Sequence, residues 1–300
     1  MEESSSSQAS SQPHAGYNVL EQVLDRESLI QKHIEQLSQM KLQATNHDKL
    51  AYFRACNGDI QQATHRLQAT LEWRKQGGIS QLLKDPTWLT REKEMRKTLW
   101  YDYLGADRHG RPILVERGGR WDVRKVLSSI WPHYYAQNYP DGTDTTEQDK
   151  IDEESFVKLH CMSCEIMLQT DRHCSTPDNP VKDDRGMIII MDLKGLRPWH
   201  LDPRLATAFG KVAAVNSTHY PDTLAHVWVV NAPYLFNGLS RMVQPFLDPD
   251  TVGKFHVSSG IPPELAQCVG TDCLPEELGG SRKSIFPYAQ DSPMSDYPKK

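Results

Sequence analysis

Gly186-Met-Ile-Ile-Ile-Met-Asp-Leu-Lys-Gly195 opens the stretch that decides the fold. Tyr220-Pro-Asp-Thr-Leu-Ala-His-Val-Trp-Val-Val-Asn-Ala-Pro-Tyr-Leu-Phe236 forms its centre, and Pro245-Phe-Leu-Asp-Pro-Asp-Thr-Val-Gly-Lys-Phe-His-Val257 closes it. Three short apolar runs stand out: Met187–Met191, Val227–Val230 and Phe255–Val257. Each is near-continuous rather than alternating, the pattern of a strand covered on both faces. Helical segments separate them, and strand–helix–strand order favours a mainly parallel sheet with right-handed crossovers.

The two linking segments differ. The first opens on Asp202-Pro203, an N-cap followed by proline at the first helical position. Leu205, Phe209, Val212 and Val215 then recur at helical spacing, as in an amphipathic helix packed on a sheet. The second, 234–246, carries Leu235, Leu239, Met242, Val243 and Phe246 as one stripe, flanked by Tyr234 and Phe236. A helix this apolar is either deeply buried or turned toward something apolar that is not its own core.

The rest of the chain frames this unit. Residues 1–16 are polar and low in complexity, and predict a disordered tail. A small all-helical lobe is expected over 17–79. Its signals are a helical pattern from Val19, a second helical region over Lys49–Lys75 with Asp59 as N-cap, and a stop at Gly77-Gly78. The stretch 80–97 reads as a polar connector. The second lobe is expected over 95–281, with a strand over Arg111–Val115, a helix over Trp121–Ile130 and a buried helix over Asp152–Gln169. A short helical segment, Pro262–Cys268, follows, and 282–300 reads as a flexible tail.

The chain of 300 residues has 34 basic and 39 acidic side chains, net charge -5. That balance argues against a general nucleic-acid binder. No run of 18 apolar residues occurs, so no membrane-spanning helix is expected. The acidic, serine-rich start lacks the features of a secretory signal. Six cysteines are too few for a disulfide framework. Together these predict a cytoplasmic protein.

Catalytic arrays are missing from the sequence. There is no Gly-x-Ser-x-Gly, no phosphate-binding glycine loop, no His-Glu-x-x-His, and no cysteine followed by five residues and arginine. No enzyme is expected. Cys161 and Cys164 form a Cys-x-x-Cys, but no second pair has zinc spacing, so buried packing is the better reading. His160, His173, His219, His226 and His256 fall in the second lobe and leave a haem or metal reading open.

Five motifs, in order, resemble the CRAL-TRIO lipid-binding family, and specifically its phosphatidylinositol transfer protein branch. They are Ile190–Gly195, Tyr220-Pro221, Val230–Pro233, Pro245–Pro249 and Leu274–Gly280. Leu67–Lys75 resembles the preceding helical lobe, and Asp107-x-x-Gly110-Arg111-Pro112 also fits. The resemblance covers residues 45–281. It implies an α/β lobe, a mainly parallel sheet with crossover helices forming a lipid cavity, preceded by the helical lobe. The bound lipid would be a ligand rather than a cofactor, and no cofactor or metal is expected.

The same resemblance implies site residues. Lys254 and Thr251 fall on inositol-phosphate-contacting positions, and Asp222 stands where the branch has a glutamate. A lysine and a carboxylate at two strand starts could bracket an inositol ring. The basic pair that the branch offers the lipid phosphate corresponds to Cys56 and Asn57, and helical phase turns nearby Arg54 elsewhere. Of the phosphatidylcholine positions Tyr103 is kept, while Met187, Ile189 and Leu114 are apolar. The 234–246 segment aligns with a movable gate helix, through Leu235, Phe236, Leu239, Met242, Val243 and Phe246. The expected function is binding one phospholipid, phosphatidylinositol first, and transferring or presenting it between membranes. A monomer with transient membrane contact would suffice. The alternatives are a carrier of a sterol, tocopherol-like lipid or haem, and a membrane-recruitment module without transfer.

Overall fold

The structure, a computed structural model, describes residues 26–121, 147–174, 186–200, 202–234, 236 and 249–283. The helical lobe holds α1 (Arg26–Lys32), α2 (Ile34–Gln39), α3 (Asn46–Ala55) and α4 (Ile60–Gln76). Thr45 and Asp48 form a reciprocal capping box at α3, and Asp59 accepts from Gln62 N at α4. Asn57 and Gly58 take positive φ between these two helices, and Gly78, in the left-handed region at φ 65°, ends the lobe. Leu37, Met40, Leu50 and Ala63 are fully buried at its centre.

The stretch 80–97 is not a connector. It folds as a 3-10 turn, Ile79–Lys84, and as α5, Pro86–Leu99, with Asp85 as N-cap and Pro86 at the first position. The charges that suggested solvation are paired inside the protein. Arg96 binds Glu92 at 2.8 Å and Asp102 at 3.2 Å, and the Tyr101 hydroxyl donates to Glu92 at 3.2 Å. Buried charges persist only in such company.

Five strands follow in chain order across one sheet: β1 (Tyr101–Ala106), β2 (Pro112–Glu116), β3 (Met187–Asp192), β4 (Leu224–Val230) and β5 (Phe255–Val257). The β1–β2 pair is antiparallel and the other three pairings are parallel. The crossovers include α6 (Glu147–Cys174) and α7 (Pro203–His219), the latter capped by Asp202 as the sequence predicts. The short α8 (Pro249–Gly253) leads into β5, and α9 (Pro263–Val269) follows it. The segment 122–130, expected to be helical, lies outside the described residues.

The faces of the sheet are unequal. On one, Ile113, Val115, Ile188 and Ile190 are all fully buried against Leu265 and Val269 of α9 and against Leu274. The other carries Leu114, Ile189, Met191, Val227 and Val229, and α6 packs over part of it.

Leu274–Gly280 locks the chain end onto the first face. Arg282 N donates to Leu274 O at 3.0 Å, and Arg282 Nη1 donates to Leu104 O at 2.8 Å, so Arg282 belongs to the folded lobe rather than to the tail. Gly280 is required by contact: a Cβ there would lie 1.9 Å from Leu274 O. Gly280→Ala is expected to lower stability by about 1–3 kcal/mol or more. A melting temperature equal to the parent's would contradict this packing.

Candidate functional site

Accessibility along β3 locates the site. A central parallel strand is normally sealed on both sides. Here Ile188 and Ile190 are sealed, whereas Ile189 and Met191, pointing the opposite way, keep accessible surface. Side chains alternate across a strand, so the exposure belongs to one face only. Phe236, the described residue of the 235–246 segment, packs on that face with Ile189, Met191, Val227, Val229 and Phe255. This face of the sheet, the floor of the candidate site, is apolar.

At the start of β3 and β4 the helical lobe meets the α/β lobe. The cleft between them has a volume of about 60 Å³ and is lined by Asp48, Tyr52, Arg74, Met187, His219 and Asp222 among others. A water's share of liquid is about 30 Å³, so this cleft admits water and not a lipid tail. Its walls are tied by aromatic and polar contacts. The rings of Trp73 and His219 stack with centroids 3.8 Å apart and planes 1° apart. Thr70 Oγ1 lies 2.9 Å from His219 Nδ1, and the Tyr52 hydroxyl donates to Thr70 Oγ1 at 2.8 Å. Arg74 pairs with Glu165 of α6 at 2.7 Å, and the Tyr220 hydroxyl donates to the same carboxylate at 3.0 Å.

The residues expected at the site separate into groups. Asp222 and Met187 share the cleft. Asp222 takes φ 55°, a left-handed conformation uncommon outside glycine but tolerated by Asp. Arg54 does not face elsewhere. Its Nε lies 3.6 Å from Asp222 Oδ2, because the long side chain spans from α3 to the strand start despite its helical phase. Cys56 is buried in the helical-lobe core and Asn57 occupies a turn, so neither replaces the basic pair. Lys254 caps the turn after α8, its N–H donating to Thr251 O at 3.1 Å, and is half-buried at the start of β5.

Tyr103 sits under α6 with Met187, its hydroxyl donating to Ser163 Oγ at 2.8 Å. Ile189 lies on the floor proper. Leu235, Leu239, Met242, Val243 and Phe246 lie outside the described residues. Cys161 and Cys164 are buried in the core, where desolvation pushes the Cys161 thiol up to about 11 and the Cys164 thiol well above its ordinary value. Thiols held protonated in this way are poor metal ligands.

Comparison with known proteins now has a geometry to attach to. A family profile described as CRAL/TRIO domain matches residues 96–280. The chain belongs to the CRAL/TRIO domain family. A CRAL-TRIO domain-containing protein of Caenorhabditis elegans is 29% identical over 240 residues, covering 77% of this chain and 29% of that protein. Phosphatidylinositol/phosphatidylcholine transfer protein SFH9 of Arabidopsis thaliana is 26% identical over 239 residues, 79% of this chain and 37% of its own. SEC14 cytosolic factor of Yarrowia lipolytica is 26% identical over 253 residues, 82% and 46%. The chain thus spans less than half the length of these relatives. The crystal structure of Sfh5 shares the fold at TM-score 0.56 and 18% identity, covering 85% of this chain and 76% of that one.

Within this CRAL/TRIO chain the inter-lobe contact was missed at sequence level. Trp73 falls within the Lys49–Lys75 helical region and His219 is the last residue of α7; nothing in their spacing brings them together. Their stacking generates a pH dependence. Burial, with the charge of Arg74, lowers the His219 pKa below 6.5. The folded state therefore favours the neutral ring, and its stability is full above that unfolded value and falls as pH drops toward the folded one. Melting temperature should fall between about pH 7 and pH 5, and His219→Gln should flatten that slope while lowering stability at neutral pH. An unchanged slope in the variant would contradict the assignment.

Proposed function

We propose that this chain binds one lipid over the accessible face of the sheet and carries or presents it between membranes. The observation that carries the reading is the one-sided exposure of β3, with Ile188 and Ile190 sealed while Ile189 and Met191 are not. The family and the relatives' printed functions support it. The physical need is large. Two acyl chains hold roughly thirty methylenes, each costing about 0.8 kcal/mol to expose to water. A carrier must cover them and still let them leave.

In this reading the segment 235–246 is the movable wall. Phe236 is its anchor on the floor, and Tyr234 beside it is 93% exposed. An exposed aromatic ring at the start of this apolar segment suits transient contact with a bilayer surface, where amphipathic rings are favoured. No described helix is long and apolar enough to cross a membrane. A cytoplasmic monomer that visits membranes needs none.

Phosphatidylinositol is the first candidate lipid. Lys254, Thr251 and Asp222 would hold the inositol and its phosphate, and Arg54, 3.6 Å from Asp222, would supply positive charge in place of the missing pair. Phosphatidylcholine fits less well, since Met187, Leu114 and Ile189 are apolar. The test is transfer of labelled phosphatidylinositol from donor to acceptor vesicles. Lys254→Ala should lower transfer about tenfold, the loss of a charge-assisted hydrogen bond, with an unchanged melting temperature. Transfer equal to the parent's would remove Lys254 from the site.

A further inference from the structure

Two histidines meet on the sealed face of the sheet, the side away from Ile189 and Met191. His226 lies on β4, where it pairs with Ile188 of β3, and His256 lies on β5, where it pairs with Trp228. Residues two apart on a strand share a face, so His226, Trp228 and His256 all stand on the side of Ile188. Trp228 is buried there in one core cluster with Leu265 and Val269 of α9, while both imidazoles stay half-exposed. Among the described residues β5 is the last strand of the sheet, so the pair sits at its border.

The geometry of the pair is set by the strands. His226 Nδ1 lies 3.0 Å from His256 Nε2, with ring centroids 5.1 Å apart and planes tilted by 47°. A hydrogen bond between two imidazoles needs one donor and one acceptor, so the two nitrogens share a single proton. The His256 ring also stacks on the Trp228 indole, centroids 4.3 Å apart and planes at 22°, which holds it in place. A separation of 3.0 Å is also the bite of a cis chelate. With metal–nitrogen bonds of about 2.0–2.1 Å, donors that far apart subtend roughly a right angle at an ion. That angle belongs to the square-planar and tetragonal sites of copper(II) and nickel(II). Tetrahedral zinc needs a wider bite.

Trp228 adds an independent observation. It is 6% exposed, and its Nε1–H is buried with no hydrogen-bond partner among the described residues. Buried donors without an acceptor are rare. An ion held beside this ring carries waters that can accept such a bond. Among the described residues no group of three or more His, Cys, Asp or Glu side chains is placed to hold a metal ion, so the protein supplies two donors and water the others.

We propose that His226 and His256 form a chelating site for a late first-row divalent metal ion, copper(II) first. His226 donates through Nδ1 and His256 through Nε2, both rings neutral. The proton they share moves, through solvent, to the other nitrogen of its own ring, so the ligands carry no net charge before or after. Neither histidine is among the residues assigned to the lipid, and the site stands or falls separately from the lipid reading.

The test titrates the full chain with copper(II), nickel(II) and zinc(II) chlorides. Copper is followed by electron paramagnetic resonance and all three by melting temperature. The parent should bind one copper(II) with the hyperfine pattern of two imidazole nitrogens. Its melting temperature should rise most with copper and less with nickel or zinc. His226→Gln and His256→Phe, the latter keeping a ring on Trp228, should each weaken copper binding about a hundredfold, since loss of either donor ends the chelate. Copper bound as tightly by the double variant as by the parent places the ion on other histidines and overturns the site. A parent without the two-nitrogen signal overturns it too, and leaves the pair as a hydrogen bond only. Should one single variant not fold, the other decides alone, because each removes one of the two donors.

Discussion

The structure depends on one unmet condition at the middle of its sheet. A central parallel strand needs cover on both sides, and among the described residues β3 is sealed on one and partly accessible on the other. Against α9 and the Leu274–Gly280 closure the seal is complete: Ile188, Ile190, Val115 and Leu274 have no exposed surface. On the other side, Ile189 and Met191 remain accessible although α6 covers part of that face. An accessible apolar surface inside a folded domain is the usual lining of a ligand site. A ligand that covered this face would act as part of the core, and its binding energy would also be folding energy.

Around this incomplete core the polar groups are placed with little slack. Arg96 with Glu92 and Asp102, Arg111 with Asp107, and Arg117 with Glu277 are buried or nearly so, each charge paired. These pairs fix helix α5, the turn before β2 and the chain end against the sheet. At the inter-lobe junction the ties include the stacked Trp73 and His219 rings, the Arg74–Glu165 pair and the Arg66 guanidinium donating to Ser217 O.

Much of this was legible in the sequence because it rests on local rules. The three apolar runs gave strands whose order, caps and parallel pairing are those of the structure, and Asp59 and Asp202 cap the helices they were expected to cap. What failed was non-local. The stretch 80–97 looked solvated because its charges are numerous, and only the fold brings Asp102 to Arg96. Arg54 was turned away by helical phase, a rule that fixes the direction of Cα–Cβ but not the reach of a long side chain.

The central claim is that one lipid completes the core, and native mass spectrometry of the purified protein, followed by extraction and identification of what it carries, tests this most directly. The account predicts a chain that carries one lipid molecule, released on denaturation with loss of stability. A protein that flies only at its bare mass, and whose melting temperature is unmoved by phosphatidylinositol vesicles, would contradict it.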